Sequence, residues 1–194
     1  MVQSVLMEGA LEQARSSQKL TYADYLQFPD DGLRHELING EHYVTPPPTM
    51  RHQQIASNLH YLIRHYLEEH PIGKVFFAPV DLHLSDLDVV EPDILFVSQE
   101  RADRITLKNL QGAADLVIEI LSPSTRRRDK GLKRALYERV DVREYWMVNP
   151  DRDEVEVFTR SGKIFHAPVR YTRDQILVTP LLPGLELAVN RIFT

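Results

Sequence analysis

The sequence has no cysteine in its 194 residues, which excludes a disulfide framework and any thiolate metal site. This absence is typical of proteins in a reducing compartment, so we expect a cytoplasmic protein. No apolar run approaches the roughly 20 residues that span a bilayer, so no membrane partner is expected. The first residues also lack a signal-peptide core. We predict a partly ordered leader over residues 1–19 and a single domain over residues 20–194.

Acidic residues outnumber basic ones overall, but positive charge is concentrated in one segment. The net charge is −5, whereas residues 126–134 hold six Lys or Arg against one Asp, so the rest of the chain carries −10. This profile excludes a protein that coats nucleic acid by bulk charge. The sequence also has no P-loop, no GxGxxG motif and no pair of histidines at HExxH spacing.

The order of predicted elements indicates an α/β protein with a central sheet. Thr21 is placed to cap a short helix, and the stretch "RHELINGEHYVT" predicts a hairpin that turns at Asn39-Gly40. A long helix follows Thr49. The remaining predicted segments are the strands "KVFFAPVDLHL", "VVEPDILFV" and "DLVIEIL", a helix over residues 126–140, the strand "EYWMVN", a hairpin, and a C-terminal β extension.

Two acidic residues stand in or next to buried strands. Glu119 interrupts the apolar run "LVIEIL", and Asp93 follows Pro92 at the start of a neighbouring strand, in phase with Leu95. A bare buried carboxylate costs several kcal/mol (about 2–7 for a polar group) or shifts its pKa. A shared divalent cation would compensate both groups, and oxygen ligands favour Mg²⁺ or Mn²⁺. The alternative is that Glu119 pairs with a buried arginine and that Asp93 only ends a strand.

The helix after Glu119 directs one lysine inward. On a helical wheel Leu132, Ala135 and Leu136 form an apolar arc, and Lys133 lies inside that arc. The alternative is snorkelling, in which the stem covers apolar surface and the ammonium stays in water. The turn that contains Arg126, Arg127, Arg128 and Lys130 lies at the N-terminal end of this helix, where a bound phosphate would offset the repulsion from the helix dipole. It could equally be a solvated basic turn.

Several stretches together resemble a known family. They are "HELINGEHYVTPPPTMRHQQI", "VEPDILFVS", "ADLVIEILSPSTRRRDKGLKRALYERVDVREYWMVNP" and "LPGLEL". In combination they closely resemble the bacterial putative restriction endonuclease family of the PD-(D/E)xK nuclease superfamily, over roughly residues 20–190. The resemblance implies a restriction-endonuclease-like mixed sheet flanked by helices, with the N-terminal hairpin and the C-terminal β extension added to it.

The resemblance also implies roles for particular residues. Asp93 and Glu119 match the two acids of the motif, as catalytic residues and metal ligands. The superfamily lysine normally stands two residues after the second acid, where this chain has Leu121, so the resemblance implies that Lys133 has taken that role. His52 and Tyr137 are expected beside the site. Glu36 also matches the family, although a surface acid on a strand is the favoured interpretation of that residue.

The expected function is Mg²⁺- or Mn²⁺-dependent hydrolysis of DNA phosphodiester bonds by Asp93, Glu119 and Lys133. The basic turn, Arg126 to Arg128 with Lys130, would position the DNA backbone. A homodimer is expected, because cutting both strands of a duplex takes two sites related by a two-fold axis. The alternative is a nucleic-acid-binding or protein-interaction module that retains the fold without catalysis.

Overall fold

The computed structural model describes residues 19–194. The leader expected over residues 1–19 therefore lies, apart from its last residue, outside the described part of the chain. The first helix, α1 (Tyr22–Tyr25), begins as predicted, because Thr21 and Asp24 form a capping box that satisfies the free N–H groups of the first turn. Within residues 19–194 no helix combines the length and the apolar character that crossing a membrane requires.

The predicted N-terminal hairpin is confirmed. It consists of β1 (Arg34–Ile38) and β2 (Glu41–Thr45), which pair antiparallel around Asn39-Gly40. Both turn residues have positive φ, 54° at Asn39 and 74° at Gly40, which is the conformation that this dipeptide favours in a two-residue turn. The hairpin belongs to a separate five-stranded sheet with β4 (Leu82–Ser85), β5 (Asp88–Val90) and β7 (Leu110–Gln111), in the order β2-β1-β5-β4-β7.

The long helix α2 (Met50–Glu69) begins at Thr49, whose hydroxyl accepts a hydrogen bond from the backbone N–H of His52. Its buried residues recur every three or four positions and pack on the central sheet. The remaining strands are β3 (Gly73–Phe77), β6 (Ile94–Ser98), β8 (Leu116–Ile120), β9 (Glu144–Asn149), β10 (Glu154–Ser161), β11 (Ile164–Phe165), β12 (Val169–Thr172), β13 (Ile176–Leu177) and β14 (Leu187–Ala188).

The central sheet is mixed, as expected, and has the order β11-β10-β9-β8-β6-β3, with β12 also on β10. Strand β8 lies in the middle, antiparallel to β6 and parallel to β9. One face packs on α2 and the C-terminal segment, and the other packs on the five-stranded sheet and the helix that follows β8. Every residue of β8 is therefore buried, which explains its nearly continuous apolar sequence.

Two segments predicted as single strands are each divided between the two sheets. "KVFFAPVDLHL" forms β3 in the central sheet and β4 in the five-stranded sheet, and "VVEPDILFV" forms β5 and β6 in the same way. Each break contains a proline, Pro79 or Pro92, which has no N–H to donate to a sheet. The second break places Asp93 directly before β6, at the seam between the two sheets.

The helix after β8 is continuous over residues 126–139 but is not a regular α-helix. It consists of α3 (Arg126–Arg128), a π-helical turn (Asp129–Lys133) and α4 (Arg134–Arg139), and we call it the lysine helix. A π turn carries an extra residue, so a wheel with a regular α-helical period goes out of phase across it. The wheel is therefore wrong for Leu132 and Ala135, which are exposed, but right for Lys133 and Leu136, which are buried.

Candidate active site

The fold brings Asp93 and Glu119 together at the seam between the sheets. Ile94 pairs with Ile118 in the antiparallel register, so the preceding Asp93 stands opposite Glu119. Both side chains point to the face that carries the lysine helix, and both line one cavity of about 280 Å³. A cation shared between them, as the sequence predicts, requires this placement on one face of the sheet.

Asp93 is buried, but neighbouring donors compensate its negative charge well. Its Oδ1 accepts a hydrogen bond from Arg34 Nη1 at 3.0 Å, and its Oδ2 accepts one from the backbone N–H of Ile120 at 2.8 Å. His52 Nε2 lies 3.2 Å from the same Oδ2. Burial alone would raise the pKa of Asp93, but His52, Arg34 and the Ile120 amide lower it to about 2. Asp93 is therefore ionised at any physiological pH.

Glu119 is buried with weaker compensation. Lys133 Nζ at 2.8 Å and the hydroxyl of Tyr137 at 2.7 Å both donate to Oε1, so both hydrogen bonds end on the same oxygen. Burial raises the pKa of Glu119 to about 8, and Lys133 only partly offsets this rise. Glu119 is therefore the group in the site that a further positive charge would stabilise most.

Lys133 lies inside the protein rather than on its surface, with only 1% of the residue exposed. Its ammonium group donates to Glu119 Oε1 at 2.8 Å and lies 2.7 Å from Glu36 Oε1 and 4.0 Å from Asp129 Oδ1. Burial would lower the pKa of Lys133, but the surrounding carboxylates raise it above its usual value, so the side chain stays charged. The snorkelling alternative is wrong, because the head group is as buried as the stem.

Glu36 is not the surface acid that its strand position favours. The residue is fully buried, and its carboxylate contacts Lys133 and lies 3.3 Å from Arg128 Nη2. The backbone N–H of Glu91 also donates to Glu36 Oε1 at 3.0 Å. The reason is that β1 is an inner strand of the five-stranded sheet, between β2 and β5, and this sheet covers the site. Glu36 therefore joins the hairpin to Lys133.

Two charged residues of the site were missed by sequence reasoning. Arg34, at the start of β1, lies between Asp93 and Glu91, and nothing in its local sequence indicates this contact. Asp129 is buried next to Lys133, although it lies among the cations of the basic turn. Its spacing of four residues from Lys133 was the available signal, because such pairs share one face of a helix.

The basic turn is divided between paired and exposed cations. Arg126 pairs with Asp151, and Arg128 pairs with Glu36, bonds Thr45 and lies over the ring of Tyr43. Arg127 and Lys130 are exposed and form no ion pair with another residue in the range 19–194. Only these two cations are thus placed as the sequence predicts for contacts with a nucleic-acid backbone.

The carboxylates fit a hard divalent cation in number and chemistry. Glu119 Oε2 receives no hydrogen bond from residues 19–194, and an ionised carboxylate has about four acceptor positions. Mg²⁺ typically takes one or two carboxylates and completes its shell with water. No group of three or more His, Asp or Glu forms a complete metal cage in the described residues, so such a cation would depend on Asp93, Glu119 and water.

Comparison with solved structures supports the fold. One similar chain is described as a putative nuclease belonging to DUF820 from Anabaena variabilis ATCC 29413, at 21% sequence identity and a TM-score of 0.75. The match covers 90% of this chain and 97% of that chain. Because the identity is low, this likeness establishes a shared fold, which is the nuclease-like α/β fold that the sequence predicted.

Comparison with sequences identifies the family. A search of curated proteins gave no match. A family model with the description "Uma2: Putative restriction endonuclease" matches residues 22–190, which include the hairpin, both acids, the lysine helix and the C-terminal extension. The chain therefore belongs to the Uma2 family.

Proposed function

We propose that the protein is a metal-dependent endonuclease that hydrolyses phosphodiester bonds of DNA, with Mg²⁺ or Mn²⁺ as its cofactor. The observation that carries the proposal is the pairing of Asp93 with Glu119 across two strands, in one cavity with the buried ammonium of Lys133. Two acids can hold a metal ion for hydrolysis of a phosphodiester, and a lysine beside them can stabilise the charge that develops. Membership of a family described as restriction endonucleases supports the same class of reaction.

In this proposal Asp93 and Glu119 hold the cation. When bound, the cation lowers the pKa of a coordinated water and neutralises charge on the phosphate. The chain fixes the two carboxylates beforehand, since His52 and Arg34 orient Asp93 while Tyr137 and Lys133 orient Glu119. Such preorganisation lowers the reorganisation that hydrolysis requires.

Lys133 has a role of its own in the reaction. An ammonium group has three N–H donors, and contacts to Glu36 and Glu119 occupy two of them. The third can orient the attacking water or bond a phosphate oxygen, on which negative charge develops as the new P–O bond forms. The proton of the water leaves to solvent, and the departing ester oxygen takes one up as its bond to phosphorus breaks.

Arg127 and Lys130 are the proposed contacts to the DNA backbone, because they are the exposed members of the basic turn. Arg128 lines the cavity, but its pairing with Glu36 already compensates its charge. A two-fold dimer would supply a second site for the opposite strand of a duplex. Whether catalysis uses such a dimer depends on the form of DNA that is cut.

The test is cleavage of plasmid and oligonucleotide DNA by the full chain in Mg²⁺ and Mn²⁺, with a chelator control. We expect metal-dependent cleavage by the parent and its loss in Glu119→Gln, while Tyr61→Ala, an exposed change elsewhere on α2, cuts like the parent. Cleavage that survives in both Glu119→Gln and Asp93→Ala, or no cleavage under any of these conditions, would overturn the proposal.

One observation favours the alternative of a binding module without catalysis. Arg34 and His52 already engage both oxygens of Asp93, and Leu121 occupies the position of the usual lysine. Internal ion pairs could then replace the metal altogether. The two functions separate in one experiment, because a binding module retains DNA and gives no cleavage product at any concentration of Mn²⁺.

A further inference from the structure

The cavity that contains the acidic pair lies beside a second one. The first, which we call the carboxylate lobe, has a volume of about 280 Å³ and is lined by Glu119 and Lys133. The second, which we call the Phe77 lobe, has a volume of about 430 Å³ and is lined by Phe77. Both lobes are lined by Arg34, His52 and Asp93, and by the segment Thr45 to Pro48. A ligand that extends past these shared residues would contact both lobes.

The two lobes differ in the cations that line them. The carboxylate lobe is lined by Arg34, Arg128 and Lys133 beside Asp93 and Glu119, and Glu36 and Asp129 also carry negative charge close to Arg128 and Lys133. The Phe77 lobe contains three carboxylates, of Asp30, Glu91 and Asp93, against the single guanidinium of Arg34. Most donors that can bond a phosphate therefore lie in the carboxylate lobe, and the Phe77 lobe favours an uncharged part of a nucleotide.

The walls of the Phe77 lobe suit a flat, uncharged ring. Phe77 is 58% exposed, and it ends the edge strand β3, beyond which no further strand of the central sheet lies in the described residues. Its ring and that of His60 form an edge-to-face pair with centroids 4.7 Å apart. Prolines 46 to 48 add apolar surface to the same lobe, and the exposed Gln53 adds a donor and an acceptor. Aromatic faces of this kind stack on bases regardless of sequence.

The carboxylate lobe is deeply recessed, which restricts the substrate further. Asp93, Glu119 and Lys133 are each at most 4% exposed. In an intact duplex the bases on either side of a phosphate are paired and stacked inside the helix, so turning one into the Phe77 lobe costs the energy of unpairing and unstacking it. A single strand has no such restriction, because its bases are free to unstack and rotate outward.

We propose that the Phe77 lobe binds an unpaired nucleobase next to the phosphate in the carboxylate lobe, so that the preferred substrate is single-stranded DNA or an unpaired region of DNA. The proposal rests on the proposed nuclease function for the role of the carboxylate lobe. It adds a substrate class to that function, and it removes the need for a dimer, since one strand requires one site.

The test compares a fluorescently labelled single-stranded oligonucleotide with the same sequence annealed to its complement. Binding is measured by anisotropy with Ca²⁺ present, for the full-length parent and for Phe77→Ala, Phe77→Trp and Tyr61→Ala. Tyr61 is the matched control, because it is an aromatic residue 59% exposed on α2 and outside both lobes. Melting temperatures show whether each variant is folded.

We expect the parent to bind the single strand at least about tenfold more tightly than the duplex, since stacking is open only to unpaired bases. Phe77→Ala should weaken single-strand binding by about 5- to 150-fold, which corresponds to the loss of one stacked base. Phe77→Trp should keep the affinity, and Tyr61→Ala should match the parent. Equal or tighter binding of the duplex, no binding of the single strand, or equal affinity of Phe77→Ala and Tyr61→Ala would overturn the proposal.

Cleavage of the same oligonucleotides in Mg²⁺ separates this proposal from the nuclease function. If the single strand binds through Phe77 but neither substrate is cut, the nuclease function fails and the Phe77 lobe stands as a base-binding site. If the duplex is cut faster than the single strand and Phe77→Ala has no effect, the nuclease function stands and the Phe77 lobe is not a base site.

Discussion

At the scale of single residues, Lys133 is one buried ammonium group that faces several carboxylates. Glu36 and Glu119 are within 2.8 Å of Nζ, and Asp129 is at 4.0 Å. Removing one partner of a buried ion pair leaves the other charges uncompensated, which is costlier than never having buried them. Lys133 therefore contributes to stability, and its proposed role in the chemistry needs a separate measurement.

For Lys133→Ala we predict a lower melting temperature in metal-free buffer, with a loss of about 3–5 kcal/mol, because Glu36 and Glu119 lose their shared cation. Added Mn²⁺ should recover part of this loss. At a temperature where the variant is folded, cleavage should fall by a factor on the order of 10²–10³, as for the loss of one electrostatic stabiliser. The matched control is Lys163→Ala, an exposed lysine outside both lobes; if Lys133→Ala cuts as fast as this control, Lys133 has no catalytic role.

Glu119→Gln tests the raised pKa of Glu119. Because burial raises this pKa to about 8, the protonated form is favoured in the folded state. Protonation of Glu119 therefore stabilises the folded state in full below the unfolded pKa near 4.5, and this stabilisation is lost as the pH rises through about 8. In metal-free buffer Glu119→Gln should therefore melt above the parent at pH 8.5 to 9 and near it at pH 5. A thermal scan over this range that shows a constant difference would contradict the assigned pKa.

Asp93→Asn should have the opposite effect on stability. The pKa of Asp93 is lowered to about 2, so its contribution is present above the unfolded pKa of 3.8 and is lost as the pH falls toward 2. This shift corresponds to about 2 kcal/mol at neutral pH, which the amide forfeits because Arg34 and His52 lose a charged partner. Chemical denaturation of the metal-free variant at pH 7 measures this difference. A variant as stable as the parent would show that these contacts contribute nothing to the fold.

The site residues that could be predicted from the sequence are those that place a charge where the pattern of the element is apolar. Glu119 and Lys133 were visible because each places a charge where its element should be apolar. Arg34 was not visible, and Glu36 was named only through the family resemblance with a surface position favoured, because a charged residue on a strand is ordinary until another sheet covers it. Their burial depends on the five-stranded sheet packing over the site, which is a long-range contact that no short stretch encodes.

At the scale of elements, the lysine helix determines which cations reach the site. Its π turn carries both Asp129 and Lys133 to the buried side and leaves Leu132 exposed. Such turns are frequent at functional sites, because the extra residue redirects side chains without ending the helix. A regular wheel could not anticipate the turn, since nothing in "RDKGLKRAL" sets a π turn apart from an α-helical one.

The pairing of only some cations of the basic turn leads to a prediction about the salt dependence of DNA binding. Because Arg126 and Arg128 are already paired, only Arg127 and Lys130 should release counterions when DNA binds. The double change Arg127→Ala with Lys130→Ala should reduce the slope of log affinity against log salt by about 2 for a duplex, and slightly less for a single strand. The matched control replaces Lys74 and Lys163, two exposed lysines outside both lobes. Identical slopes for the two double variants would show that the turn is merely solvated.

At the scale of the whole molecule, the order of elements and the mixed sheet were predictable, and the partition into two sheets was not. The hairpin, the caps and the buried strand β8 each follow from local rules about turns, first turns and apolar runs. The division into two sheets depends on Pro79 and Pro92. In the sequence alone, each proline was also compatible with the start of a single longer strand. Two cores share the central sheet, so we propose that residues 20–194 form one domain.

The central claim is that Asp93 and Glu119 together hold a divalent cation, and calorimetric titration with Mn²⁺ tests it most directly. We predict one binding event per chain in the parent, stronger at pH 8.5 than at pH 6, because the pKa of Glu119 is raised to about 8 and the proton competes with the metal. Glu119→Gln and Asp93→Asn should each abolish this event. A parent that binds no Mn²⁺ at either pH, or binding that persists in both variants, would contradict the claim.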